Sequence, residues 1–310
     1  MTNQPQLRMG NESYDYEIVE GWAKLPSSYT LGYTHGIVTD SLDQVYVFHT
    51  GASSIYKFDK EGNFLSAFGD SFGDGAHGFY LHQEATGEYL YATDISRGLM
   101  VKMTLDGQEV MTLGAPDLPE IYDAERKYMP TDVAVAPNGD IYITDGYGQS
   151  WVHVYTAAGE YKNSWGGKGS DPGRFDCPHG ISVDLRSGEP EIYVADRGNH
   201  RLQAFTPDGE FKRIIDKDMD LPCSFYFFEG KMYIPDLNSR VSIYDRHDRL
   251  CAHLGEDQQA YKQEGWPNLA KSYYRVDRFS SPHGLCVDSE GNVYVAEWIH
   301  DGRLTKLRPL

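Results

Sequence analysis

Residues 177–184 read CPHGISVD, and 281–288 repeat the phrase as SPHGLCVD. Two blurred copies stand earlier in the chain, YTHGIVTD at 33–40 and GAHGFYLH at 75–82. A period of some 40–50 residues marks a repeat architecture, so the repeat has to be resolved before anything else. Around each phrase the same parts recur in the same order. The clearest unit, 175–215, runs FDCPHGISVD, then EIYVADRGNH, then RLQAFTPDGEFKRII. Others open with THGIVTD, AHGFYLH, MPTDVAV, LPCSFYF and SPHGLCVD, which makes six.

Each unit reads as four short antiparallel strands. Apolar and polar residues alternate in runs rich in Val, Ile, Tyr and Phe. PNGD, PDGE, KEGN and SEGN supply the positive-φ positions that tight connections need. Four-stranded units repeated about an axis are the blades of a β-propeller. The sixth unit lacks an outer strand, and YEIVEGWAKLP (16–26) belongs to no unit yet reads as one. The predicted fold is therefore all-β, a single six-bladed propeller over 1–310. Strand 16–26 completes the last blade, so that no edge is left unpaired. Residues 256–278 interrupt the rhythm and are expected to form a rim or lid.

Composition narrows the partners. Hydrophobic residues at 40% and aromatics at 13% suit a folded, strand-rich chain. A net charge of −18 disfavours nucleic acid and anionic membranes. No apolar run reaches the roughly 18 residues that span a bilayer. The first residues, MTNQPQLRMGNESYDYE, have no basic stretch followed by an apolar one, so a cytoplasmic location is expected. Cys177, Cys223, Cys251 and Cys286 are too sparse for a disulfide framework and are read as free thiols. The expected ligand is a small molecule or a short peptide-like substrate. The oligomeric state is left open.

In a propeller the first strand of each blade lines the central channel. Aligning the six phrases puts His35, His77, Thr131, His179, Cys223 and His283 at one level. The histidines at 77, 179 and 283 fall on alternate blades, two, four and six, related by an approximate three-fold axis. Three neutral imidazoles around an open fourth position form the ligand set of a catalytic zinc site. Blade packing alone does not ask for that alternation. The glycine of each phrase is read as a turn residue. His35, on blade one, breaks the alternation and is open to a substrate-contacting, supporting or structural role. A second ring follows the second strands: His49, Asp94, Asp145, Asp196, Asp236 and Glu297. These acids are expected to cap turns and bond backbone amides between blades. Just beyond them, Tyr147 in TDGYG is placed for acid–base work. Arg197 in ADRGN is suited to grip a carboxylate.

The units resemble NHL repeats. The set PTDVAV, DGYG, PHGISVD, VADRGN, RLQAF and SPHGLCVD resembles the peptidyl-α-hydroxyglycine α-amidating lyases, over about 30–310. That resemblance implies a zinc ion held by His77, His179 and His283, with Tyr147 and Arg197 catalytic. It implies cleavage of a peptidyl-α-hydroxyglycine into a peptide amide and glyoxylate. The chain departs from the pattern in places. FHTG puts His49 and Thr50 where the family usually has FxRG, so a substrate-contacting arginine is replaced. Gly284 stands where secreted members carry the Asp of a structural calcium site, so Ca2+ lacks that ligand here. The disulfide cysteines of those members are absent as well. The expected function is a zinc-dependent lyase acting on a carbinolamide or related α-hydroxy substrate, with His35, His49 and Thr50 near the substrate. The rivals are a non-catalytic NHL propeller that binds protein or glycan, and a metal-dependent hydrolase of the lactonase or esterase kind.

Overall fold

A computed structural model describes residues 7–310. Six antiparallel sheets are arranged as the blades of a propeller. The first strands are Thr34–Thr39, Ala76–Glu84, Asp132–Val135, Pro178–Asp184, Tyr226–Phe228 and Pro282–Val287. They line the channel, and in the first five blades the other strands step outward in sequence order. The predicted all-β class and blade count match this architecture.

The core is divided by the blades. Six apolar clusters lie one between each pair of neighbouring blades. Phe48 and Phe79 share the cluster between blades one and two, and Tyr142 and Phe205 the one between three and four. The second strands are thus covered on both faces, which explains runs as continuous as EIYVAD, buried throughout, whereas outer strands such as Tyr161–Gly166 are exposed or half-buried.

The last sheet differs in detail from the expectation. Its outer strand is Tyr14–Val19, paired with Arg303–Pro309, so it ends well short of residue 26. Gly21, at φ +62°, turns the chain out of the sheet. Trp22 then packs on Phe58 and Tyr294 between blades one and six. A fifth strand, Arg8–Asn11, pairs outside Tyr14–Val19.

The stretch 256–278 is fastened to the rim. Trp266 Nε1 donates to the Ser280 carbonyl at 3.0 Å, and Asn268 Nδ2 donates to the Tyr33 hydroxyl at 2.9 Å.

Candidate metal centre

The histidine phrases meet at one end of the channel. The ring centroids of His77, His179 and His283 lie 4.8, 4.9 and 5.2 Å apart in pairs. His35 joins them, 4.9 Å from both His77 and His283. All four are buried, His77 and His179 to 2% exposure.

The three alternating histidines are each fixed by the following blade. His77 Nδ1 donates to the Thr131 carbonyl at 2.7 Å, His179 Nδ1 to Cys223 at 2.8 Å, and His283 Nδ1 to His35 at 2.9 Å. A carbonyl can only accept, so Nδ1 carries the proton and Nε2 keeps its lone pair. His35 differs, because its Nδ1 donates to the carbonyl of Tyr33, just before its own strand, at 3.2 Å.

The glycine that follows each histidine is part of this device, and the turn expected there is not found. Gly78, Gly180 and Gly284 lie inside strands. A Cβ on Gly78 would sit 2.4 Å from the Thr131 oxygen, on Gly180 2.3 Å from the Cys223 oxygen, and on Gly284 2.4 Å from the His35 oxygen. These are the oxygens that hold the imidazoles. His-Gly therefore encodes an imidazole and the close approach of the carbonyl that orients it.

Burial lowers the pKa of His77, His179 and His283 well below the ordinary value, and that of His35 to about 4. The rings are neutral at pH 7. The Tyr147 hydroxyl lies 3.2 Å from His77 Nε2 and 3.1 Å from His179 Nε2. It has one proton for two lone pairs, so one Nε2 is left with a lone pair free to take a metal ion. The donor set therefore fits zinc. Ligand atoms within 4.8 Å of one another group as His35, His77 and His283, and as His179, Cys223 and His283; neither set joins His77 with His179.

Tyr147 and Arg197 meet at the same place. Arg197 Nη2 donates to the Tyr147 hydroxyl at 3.2 Å, and its guanidinium lies 5.5 Å from the ring centroid. Burial raises the Tyr147 pKa, and Arg197 opposes the rise. The same guanidinium is flanked by two thiols, Cys177 Sγ at 3.5 Å and Cys223 Sγ at 3.9 Å. Tyr147 remains 37% exposed, so this side of the histidines opens to solvent.

On the other side lies the channel proper, a cavity of about 600 Å³ reaching along the first strands to Thr39 and Leu185. Asp132 lines it, and the sequence reading passed it over. It occupies the level of the phrase glycines, and its carboxylate accepts the Ile181 amide at 3.0 Å. Burial raises its pKa to about 7. Asp in MPTDVAV where other units have Gly or Ser was the available signal.

His49 and Thr50 are turned to the backbone of the loop before blade one. His49 Nδ1 donates to the Thr50 carbonyl at 2.7 Å and sits 3.1 Å from Gly32 N, and Tyr33 N donates to Thr50 Oγ1 at 2.9 Å. The acid ring pins loops within each blade, not between blades as expected. Asp145 accepts the amides of Met129 and Gln149, Asp196 that of Asp176, and Glu297 that of Ser280. A second segment between repeats also reaches the site. Tyr122 donates to Asp145 Oδ2 at 2.8 Å and meets His153 Nε2 at 2.6 Å. Asp145 in turn holds the loop that carries Tyr147.

Comparison with known proteins agrees with the repeat reading. The NHL repeat family matches residues 128–155, 175–205 and 279–306, within blades three, four and six. The chain is 30% identical over 208 residues to human NHL repeat-containing protein 3, covering 62% of this chain and 57% of that protein. The chain thus spans little more than half the length of this relative. It is 27% identical over 252 residues to the probable peptidyl-alpha-hydroxyglycine alpha-amidating lyase pgal-1 of Caenorhabditis elegans, covering 78% of this chain and 67% of that protein. Among solved structures, a gluconolactonase of Xanthomonas campestris superposes with a TM-score of 0.66 at 13% identity, over 99% of this chain and 96% of that one. That likeness concerns the fold alone.

Proposed function

We propose that this NHL-repeat propeller, which resembles the peptidyl-α-hydroxyglycine α-amidating lyases, is a zinc-dependent lyase that cleaves a carbinolamide or a related α-hydroxy compound. The observation that carries the reading is the convergence of three buried, neutral imidazoles, each locked with Nε2 free, beside a tyrosine hydroxyl and an arginine. His77, His179 and His283 would hold the ion. Zinc bound there would acidify a coordinated hydroxyl.

The residues of the chain supply the rest. Collapse of a carbinolamide removes the proton of the α-hydroxyl and expels the amide nitrogen, leaving an aldehyde. Tyr147 is placed to take that proton and return it to the departing nitrogen. Arg197 offers a bidentate partner for an adjacent carboxylate and, through its charge, favours the tyrosinate. Thr50 is occupied with the loop backbone and brings no cation, so Arg197 carries carboxylate recognition in this mouth.

Two measurements test the reading. Purified protein should hold one zinc per chain, and His179→Ala should hold much less. α-Hydroxyhippurate should yield glyoxylate and benzamide, detected as a hydrazone and by chromatography. Full metal occupancy without turnover of this or other α-hydroxy amides would remove the lyase reading. A second reading, hydrolysis of a lactone or ester, draws on Asp132, a carboxylate in the channel whose pKa lies near 7. Turnover of simple lactones that is lost in Asp132→Asn would favour it.

A further inference from the structure

We propose that Cys223 is itself a ligand of the channel metal, taking as a thiolate the fourth position that His77, His179 and His283 leave open. The proposal rests on the metal reading of those three histidines. Cys223 is the blade-five counterpart of the channel histidines, and it is 1% exposed. Its Sγ lies within 4.8 Å of a ring nitrogen of His179 and of His283. Its carbonyl fixes the His179 ring, so the two residues keep one geometry. Burial pushes the Cys223 thiol up to about 12 and Arg197, with a guanidinium nitrogen 3.9 Å from the sulfur, opposes that rise only in part, so the thiol keeps its proton until a metal displaces it. Among the described residues, the thiol's only other polar contact is a weak one, 3.7 Å to the Leu221 carbonyl. A buried cysteine is ordinarily an inert apolar filler. This one has two imidazoles and an arginine at its sulfur.

On ligation the S–H bond breaks, the sulfur lone pair goes to the metal and the proton leaves to solvent. No electron is transferred. The resting centre is then closed to water, and an α-hydroxy substrate must displace the sulfur or add beside it as a fifth ligand. Arg197, which in the resting state faces Cys177 and Cys223, is at the same time the group that a substrate carboxylate would engage. Substrate arrival would therefore weaken the thiolate's support at the moment its position is needed.

Cobalt(II) added to the metal-stripped full-length protein tests the bond without recourse to activity. Sulfur–cobalt ligation gives a near-ultraviolet charge-transfer band that imidazole and oxygen ligands do not. The band is expected in the unmodified protein and in Cys177→Ser. It should be lost in Cys223→Ser while one cobalt per chain and its visible bands persist. One cobalt per chain with no such band in the unmodified protein would overturn the proposal and leave the three-histidine centre standing. So would a band that survives Cys223→Ser. Failure to bind one cobalt per chain would remove both.

Discussion

The roles proposed for Tyr147 and Arg197 at the mouth differ in a way that kinetics can separate. The tyrosine hydroxyl touches two histidine nitrogens, whereas the arginine reaches outward from it. Tyr147→Phe is expected to lower kcat about 10²–10⁴-fold, as loss of a positioned acid–base group does, with KM little changed. Arg197→Ala should chiefly raise KM for a carboxylate substrate, and Arg197→Lys should not restore it, since a point charge lacks the planar fork. Steady-state kinetics on α-hydroxyhippurate checks both. Asp132 makes a separate, pH-dependent contribution. Its folded pKa of about 7 lies above the unfolded value of 3.8, so the native state binds the extra proton between these values. The stability it contributes is complete below about pH 4 and is lost as the pH rises through 7, by at most about 4 kcal/mol. Asp132→Asn should flatten that decline in a series of urea titrations from pH 4 to 8. An unchanged slope would show that Asp132 titrates as it does in the unfolded chain.

At the scale of elements, the segments between repeats matter as much as the blades. Tyr122 joins its segment to Asp145 and to His153, whose other nitrogen meets Ser164 at 2.6 Å. The chain of bonds has one direction: Ser164 donates to His153, His153 to Tyr122, and Tyr122 to Asp145. Tyr122→Phe leaves the His153 donor unmatched and removes one of two bonds to Asp145 Oδ2, at a cost of about 1–3 kcal/mol. The loop holding Tyr147 should loosen with it. A lower urea midpoint together with a reduced kcat is expected, and a stability loss without any kinetic effect would confine Tyr122 to a structural part. The sequence could not announce Tyr122, because it lies in a stretch with no repeat phase to align. The histidine alternation was legible for the opposite reason, since the repeat itself supplied the register against which His77, His179 and His283 stood out. The role of the adjacent glycines was hidden, because what crowds each of them belongs to another blade. Asp132 was masked likewise, as a polar substitution whose neighbours are set only when the ring forms.

At the scale of the molecule, one blade is assembled from both ends of the described chain, Tyr14–Val19 against Arg303–Pro309. Removing residues 1–19 strips this blade of its outer strands and uncovers the edge of Arg303–Pro309. Such a variant is expected to unfold at lower urea and to release zinc in the same transition, monitored with a chromogenic chelator. Retention of metal past the unfolding midpoint would separate the centre from closure of the ring. The bonds that seat the imidazoles also differ in reach. Those of His77 and His179 span 54 and 44 residues, whereas His283 is held by an oxygen 248 residues earlier. During synthesis two of the three ligands can be set while later blades are still emerging, since domains form from the N-terminal side as they appear. The third waits until blade six docks on blade one. Under the proposed metal reading, loading would be a timestamp on maturation: half-made rings offer at most two seated imidazoles, and tight capture of the ion would belong to the finished molecule.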